Sequence, residues 1–284
     1  MKISKPSELK KFLEENQLVA KKASSQNFLI DGNILRKIVK EAELSSEDVV
    51  LEIGPGPGAL TEALLETGCL VVAIEKDDSF AALLTKRLVS PETKLKVISS
   101  DFLKTPLEPL LSPFQNKAKV VANLPYHITT PILTRLLPLH ALFSDLILMV
   151  QKEVALRFVA EVGSKEYSSF TLFLQFYSEA RYCFTVEPTC FQPKPSVQSA
   201  VIHLRLRPPP FLEEQERFFQ LTRTAFKQRR KMLRASLKPL FSAAQIENAL
   251  QTLHLRPTSR PEELSLSQFL QLYALLIEDQ HSSF

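Results

Sequence analysis

Five short apolar runs constrain the fold more than any other feature of this chain. They are "DVVLEI" (48–53), "LVVAIE" (70–75), "LKVISS" (95–100), "KVVAN" (119–123) and "DLILMV" (145–150). Between the first two lies "GALTEALLETG", and between the next two "SFAALLTKRL", both with apolar residues at helical spacing. Strands alternating with helices at this repeat predict right-handed crossovers and a parallel sheet covered on both faces. An earlier helix is expected from Asp31 as N-cap, with Ile34, Leu35, Ile38 and Val39 facing inward. The first half of the chain therefore reads as α/β.

Two further stretches, "FTLFLQFYSEARYCFTV" (170–186) and "SAVIHLRLR" (199–207), read as antiparallel strands added at one edge of the sheet. The "PPP" at 208–210 continues neither a ladder nor a helix interior, and it marks a domain boundary. Beyond it the pattern is helical over 213–239, 243–253 and 265–278. A chain of 284 residues accommodates such a division, with residues 1–207 forming one domain and 208–284 a small all-α one.

The longest apolar run, "LILMV" (146–150), is far too short to span a bilayer, so no membrane partner is expected. The N-terminal "MKISKPSELKKFLEEN" lacks the apolar core of a signal peptide. Three cysteines, Cys69, Cys183 and Cys190, form no CxxC pair, which argues against a disulfide framework and a zinc ribbon. A reducing cytoplasm and no metal are the expectations. The net charge of +4 names no partner by itself.

"LEIGPGPGAL" ends the first strand with Gly54, Gly56 and Gly58, half of the six glycines in the chain. Glycine at alternate positions lets the backbone turn sharply and approach a ligand closely. The spacing is GxGxG and departs from the GxGxxG dinucleotide fingerprint. Strand two ends in Glu75, strand three is followed by Asp101, and strand four ends in Asn123. In an open α/β sheet these positions line one crevice at the carboxyl ends of the strands. A carboxylate at Glu75 suits the two hydroxyls of a ribose. Asp101, with the backbone N–H of Phe102, suits an adenine. The structural alternative is that Glu75 and Asp101 only cap the segments "KDDSF" and "FLKTPL". A nucleoside without a pyrophosphate fits the missing GxxG. S-adenosylmethionine is such a ligand, with NAD as its competitor.

"LEIGPGPGALTEAL", "AIEKD", "SDFL" and "NLPY", in this order, resemble the ribosomal RNA adenine dimethyltransferases. Further matches are "KKASSQNFLID" (21–31), "MVQKEVALRF" (149–158), "FQPKPSVQSAVIHL" (191–204), "AFKQRRKMLRASL" (225–237) and "RPEELSLSQF" (260–269). Within that family the likeness is to the bacterial small-subunit (16S rRNA) members, the KsgA/RsmA group. Ser25 stands where the family usually has Gly, Gln198 where Asp is common, and no glycine follows the tyrosine of "YSSFTLFLQ". The resemblance implies a Rossmann-like S-adenosylmethionine-dependent methyltransferase domain with a mostly parallel seven-stranded sheet. It implies N6,N6-dimethylation of two adjacent adenosines in a hairpin near the 3′ end of 16S rRNA, within an immature small subunit, by a monomer. Asn27 and Leu29 then join Gly54, Gly56, Glu75, Asp101, Phe102 and Asn123 around the cofactor. Two other readings stand beside this one: a 23S rRNA adenine methyltransferase, and a non-catalytic RNA-binding assembly or transcription factor on the same fold.

An exocyclic adenine nitrogen is a poor nucleophile because its lone pair is delocalised into the ring. Acceptors facing its hydrogens localise that pair; the Asn123 side-chain oxygen and the Leu124 carbonyl are the expected ones. Pro125 restricts Leu124 to an extended conformation, and Tyr126 offers a ring face to a flipped base. Phe191 is expected over the other face, with a core phenylalanine as its alternative. His127 reads as a packing or hydrogen-bonding residue in preference to a base. Residues 217–238, "RFFQLTRTAFKQRRKMLRASLK", hold eight Lys or Arg and no acid. Phe219, Phe226 and Leu233 recur every seven residues and face inward, leaving an exposed basic face. Arg223, Lys227, Arg229, Arg230, Lys231 and Arg234 on that face suit RNA phosphates.

Overall fold

The computed structural model describes residues 6–16, 27–211, 213–228 and 231–281. It divides into two units: the chain up to Ala155 with Ser178–Arg207, and Leu156–Tyr177 with the chain from Pro208 onward. The second unit thus begins again at the proline run, and it also takes in 156–177, which the sequence pattern assigns to the first domain.

In the first unit, helix α1 (Pro6–Glu15) precedes the short strand β1 (Phe28–Leu29) and α2 (Gly32–Glu41). Then come β2 (Val49–Ile53), α3 (Ala59–Leu65), β3 (Leu70–Glu75), α4 (Asp78–Leu88), β4 (Leu95–Ser99) and α5 (Glu108–Leu111). They are followed by β5 (Ala118–Asn123), α6 (Thr129–Leu136), β6 (Phe143–Gln151) and the start of α7 (Lys152–Phe158). The unit closes with β7 (Ser178–Val186), β8 (Phe191–Gln192) and β9 (Ser199–Leu206). The main sheet has seven strands in the order β4-β3-β2-β5-β6-β9-β7. Its first five strands are parallel, β9 runs antiparallel to both its neighbours, β6 and β7, and β7 thereby points the same way as the first five.

The all-apolar runs occupy the middle of this sheet because helices cover both its faces. β2 is buried at every position, whereas the edge strands β4 and β7 alternate or open to solvent. Asp31 caps α2 as expected, accepting from the backbone N–H groups of Asn33 and Ile34. A separate two-stranded ladder pairs Phe28 with Gln192 and Leu29 with Phe191. Leu9 and Phe12 of α1 pack with Phe28, Ile30 and Phe80.

The second unit corrects two sequence expectations. Residues 170–177, read as strand, lie in helix α8 (Ser169–Tyr177). Ser168 and Thr171 exchange reciprocal backbone-to-hydroxyl bonds at its start (3.1 and 3.3 Å), and Phe170, Phe173 and Tyr177 fall on one helical stripe. Burial of aromatic area overrides the β-propensity of these residues: Phe173 meets Phe219 at 4.9 Å and Phe176 meets Phe218 at 5.4 Å between ring centroids.

The helix expected over 213–239 is broken into α9 (Gln215–Phe226) and α10 (Leu233–Ser236). Met232 is extended, and the Leu233 N–H donates to the Ser259 carbonyl (2.9 Å), which interrupts the helical ladder. Lys227 and Lys231 would also repel each other one turn apart. Helices α11 (Ala243–Thr252) and α12 (Leu266–His281) follow, α11 opening with a Ser242–Gln245 capping box. Phe219, Phe226 and Leu233 are all buried. No helix among the described residues is long and apolar enough to cross a membrane.

Candidate active site

Gly54, Gly56 and Gly58 all take positive φ after β2. A Cβ at Gly58 would meet Leu84 Cδ1 at 2.4 Å and Arg87 Nη2 at 2.7 Å, and one at Gly56 would meet the Phe28 ring at 3.0 Å. Backbone conformation and packing therefore both demand glycine at these two positions. Arg87 braces the same turn, donating to the Pro57 carbonyl (2.5 Å) and pairing with Glu62 (2.8 Å).

Glu75 closes the turn from the neighbouring strand. Its Oε2 accepts from the Gly56 N–H (2.9 Å) and its Oε1 from the Asp77 N–H (2.8 Å). Burial raises its pKa against these two backbone bonds, which favour the charged form. Asp77, not Glu75, is the N-cap of α4. A carboxylate has about four acceptor positions, so these bonds leave room to accept from a ligand hydroxyl. One strand further, Asp101 accepts from the Leu103 N–H (3.0 Å) and pairs with Lys76 Nζ (2.9 Å). The Lys76 ammonium holds its carboxyl below the usual aspartate range. The Asp101 carbonyl accepts from the Lys104 and Thr105 N–H groups. Turn capping and an outward-facing carboxylate thus coexist in one residue, and Phe102 beside it is buried.

A solvent-open cleft of about 370 Å³ is bounded by Phe28, Leu29, Glu52, Gly54, Leu60 and Asn123, among others. Its mix of apolar and polar lining suits part of a nucleoside-like small molecule. Asn123 ends β5, and its Nδ2 donates to the Asn27 carbonyl (3.2 Å), which leaves Oδ1 as the acceptor end of the amide. The buried Leu124 donates its N–H to the Met149 carbonyl (3.0 Å), anchoring the tetrapeptide to β6. Pro125 takes φ −60° and ψ 128°, and Tyr126 starts a single 3₁₀ turn that ends at Ile128. The Tyr126 hydroxyl bonds Ser199 Oγ (2.7 Å), a fully buried residue on β9. The half-buried phenol ring is therefore held by its far end. His127 on the same turn is exposed.

Glu52 escaped sequence reasoning. It is 1% exposed, borders the cleft, and accepts a 2.6 Å bond from Thr61 Oγ1. Burial pushes its pKa up to about 8, with the nearby Glu75 charge adding to the rise. The available signal was an acid inside the otherwise apolar "VVLEI", directly before the glycine turn. The folded protein holds this proton between the ordinary glutamate pKa and about 8, where the unfolded chain has released it. Stability from this group is thus complete below the lower limit and lost as pH rises through the upper one. Glu52→Gln should remove that slope. Chemical denaturation from pH 5 to 9 is expected to show the variant gaining on the parent with rising pH, by on the order of a few kcal/mol. Parallel curves would refute the assignment.

Phe191 is 2% exposed within the hydrophobic core of the first unit, paired with Leu29. The core-phenylalanine alternative describes its position, and no open ring face is presented to a base. Gln198 accepts from Lys152 Nζ (2.9 Å) and donates to Glu187 (2.7 Å), so an amide here bridges a cation and an anion. Ser25 lies outside the described residues.

In the second unit Arg223, Lys227, Lys231 and Arg234 are exposed, while Arg229 and Arg230 lie outside the described residues. The eight cations are not all unopposed as the window alone suggested. Arg217 pairs with Glu214 (2.9 Å), Arg223 with Glu216, and Arg234 with Glu247. The opposing acids flank the stretch. Among the described residues no group of three or more His, Cys, Asp or Glu is placed to hold a metal.

The profile of a family described as "Ribosomal RNA adenine dimethylase" matches residues 18–278. The chain is 52% identical over 276 residues to "Ribosomal RNA small subunit methyltransferase A" of Protochlamydia amoebophila, covering 96% of this chain and 97% of that one. Among solved structures, a dimethyladenosine transferase from Plasmodium falciparum superposes with a TM-score of 0.74 at 27% identity, over 88% of this chain and 97% of its own. The 23S rRNA methyltransferase ErmE superposes with a TM-score of 0.70 at 28% identity, over 88% and 100%. Fold, strand-end residues and near-full-length similarity agree: this chain belongs to the ribosomal RNA adenine dimethylase family of methyltransferases.

Proposed function

We propose that this protein dimethylates N6 of two adjacent adenosines in a hairpin near the 3′ end of small-subunit ribosomal RNA, acting in the cytoplasm on an immature subunit. The observation that carries this reading is the row of Glu75, Asp101 and Asn123–Tyr126 at the carboxyl ends of neighbouring strands, beside a glycine turn that admits close backbone approach. One chain supplies all of these groups, so a monomer suffices.

S-adenosylmethionine supplies an electrophilic sulfonium methyl when bound. Glu75 offers its free acceptor positions to the ribose, and Asp101 with the Phe102 N–H offers an acceptor and a donor to the adenine edge. Leu29 and Gly54 wall the cleft, and Gly56 and the Asn27 backbone are assigned to the cofactor beside it. Asn123 Oδ1 and the Leu124 carbonyl accept from the target amine and turn its lone pair toward the methyl. Tyr126 stacks on the flipped base, its tilt fixed by Ser199. The methylated amine is acidic and releases its proton afterwards, so no strong base is required.

The test is to incubate the protein with labelled S-adenosylmethionine and undermethylated small subunits, and to map modified nucleosides by mass spectrometry. Two neighbouring dimethyladenosines in the small-subunit RNA are expected. Large subunits belong in the same experiment, because ErmE acts on 23S rRNA; label found only there would favour that second reading. The cations Lys227, Lys231 and Arg234, with Arg223, Arg229 and Arg230, are assigned to phosphate contacts. Lys227→Ala with Lys231→Ala should weaken RNA binding and flatten its salt dependence by about one to two units of log–log slope. An unchanged slope would remove the two lysines from the footprint.

A further inference from the structure

Arg135 is a charge in the first unit that neither cofactor nor base contact accounts for. It lies in the last turn of α6, the helix that begins at Thr129, just after the Asn123–Tyr126 tetrapeptide. Its guanidinium donates to the carbonyl oxygens of Phe102 and of Thr105 and lies over the Phe102 ring, 5.1 Å from the centroid. These contacts use both properties that separate arginine from lysine, a planar fork of donors and a flat face that stacks on an aromatic ring. The loop that Arg135 grips carries the Asp101 carboxylate and the Phe102 N–H. Within itself that loop is held by short-range turns: Leu103 to the Asp101 side chain, Lys104 and Thr105 to the Asp101 carbonyl, and Thr105 Oγ1 to Ser100. Such bonds shape the loop, and the Lys76–Asp101 ion pair and the Ser100 N–H to the Glu75 carbonyl (2.9 Å) tie it to the end of β3 on one side. Arg135 supplies the tie on the other side, from the helix that follows the proposed base-binding residues.

We propose that Arg135 is a positioning residue that locks the adenine-recognising loop to the helix behind the catalytic tetrapeptide, so that cofactor and base sites hold a common register. The proposal rests on reading Asp101 and Phe102 as the adenine subsite. Arg135 touches neither substrate; it acts through the loop.

Arg135→Met keeps the stem and removes the donors, whereas Arg135→Lys keeps a charge without the fork. Calorimetric titration with S-adenosylmethionine, S-adenosylhomocysteine and 5′-methylthioadenosine should show Arg135→Met weakening all three by about tenfold, because they share the adenosine. The KM for S-adenosylmethionine should rise in parallel and kcat should fall by about tenfold, because donor and base lose their common register, with RNA affinity unchanged. Arg135→Lys should recover only part of the loss. A lower melting temperature with unaltered dissociation constants for the folded protein would mean a merely structural role and overturn the proposal. Asp101→Ala is measured alongside. If it leaves cofactor binding intact, the adenine-subsite reading fails. If it weakens binding and Arg135→Met does not, only the positioning role fails.

Discussion

Asn123→Ala is expected to slow methyl transfer by about 10²–10³-fold while leaving RNA affinity within a few-fold. The size follows from what the side chain does. The amide is fixed at its nitrogen end by the Asn27 carbonyl, so its oxygen is presented in one orientation and not sampled among rotamers. Alanine removes both the acceptor that localises the amine lone pair and the bond that ties the tetrapeptide to the segment before β1. Single-turnover assays with saturating RNA separate the two losses. The transfer rate should fall even when all RNA is bound. Tyr126→Phe provides the contrast: it removes the Ser199 bond and keeps the stacking face, so most activity should survive, whereas Tyr126→Ala should approach the Asn123 variant. A collapse of RNA binding in Asn123→Ala, with transfer from the bound state preserved, would refute the assignment of chemistry to this residue.

Glu75→Ala is expected to weaken S-adenosylmethionine binding by about 10²-fold or more and to destabilise the fold by roughly 1–3 kcal/mol for each donor left unsatisfied. The two effects share one origin. The carboxylate accepts from the Gly56 and Asp77 N–H groups, so truncation orphans a donor on each side of the crevice. The glycine turn then loses its brace just where a side-chain-free backbone must stay close to the ligand. Glu75→Gln is not conservative here. Its amide nitrogen would face one of two N–H donors, so an intermediate loss is expected. Equilibrium binding and denaturation of both variants check the pair. Unchanged affinity in Glu75→Ala would remove the ribose contact from the site.

The sheet was legible because its strands are buried on both faces, and such strands read as unbroken apolar runs flanked by helices. The row of strand-end residues followed from that topology. Helix α8 was not legible by composition. Its aromatic residues favour strands locally, and only Ser168 with Thr171 and the spacing of Phe170, Phe173 and Tyr177 betray the helix. The basic stretch misled for a different reason: the window began at Arg217 and left out Glu214 and Glu216 just upstream, while Glu247 reaches Arg234 only through the fold. Glu52 was hidden because an acid between valine, leucine and isoleucine looks outward in a one-dimensional pattern. Burial between β2 and α3 turns it inward to Thr61.

The two-rung ladder of β1 and β8 has a kinetic meaning. Placing two methyl groups on one nitrogen requires the donor site to be emptied and refilled between transfers. Leu29, which borders the cleft, shares its backbone pairing with Phe191, at the head of the "FQPKPSV" loop. Both side chains are buried and the Ile30 N–H to Cys190 carbonyl bond (2.9 Å) extends the pairing, so the ladder opens only at the cost of exposing them. Each opening would loosen the donor side and this loop in one motion. Whether the protein completes both transfers in a single encounter with RNA then becomes a race between the reclosing of two backbone rungs and the escape of the RNA.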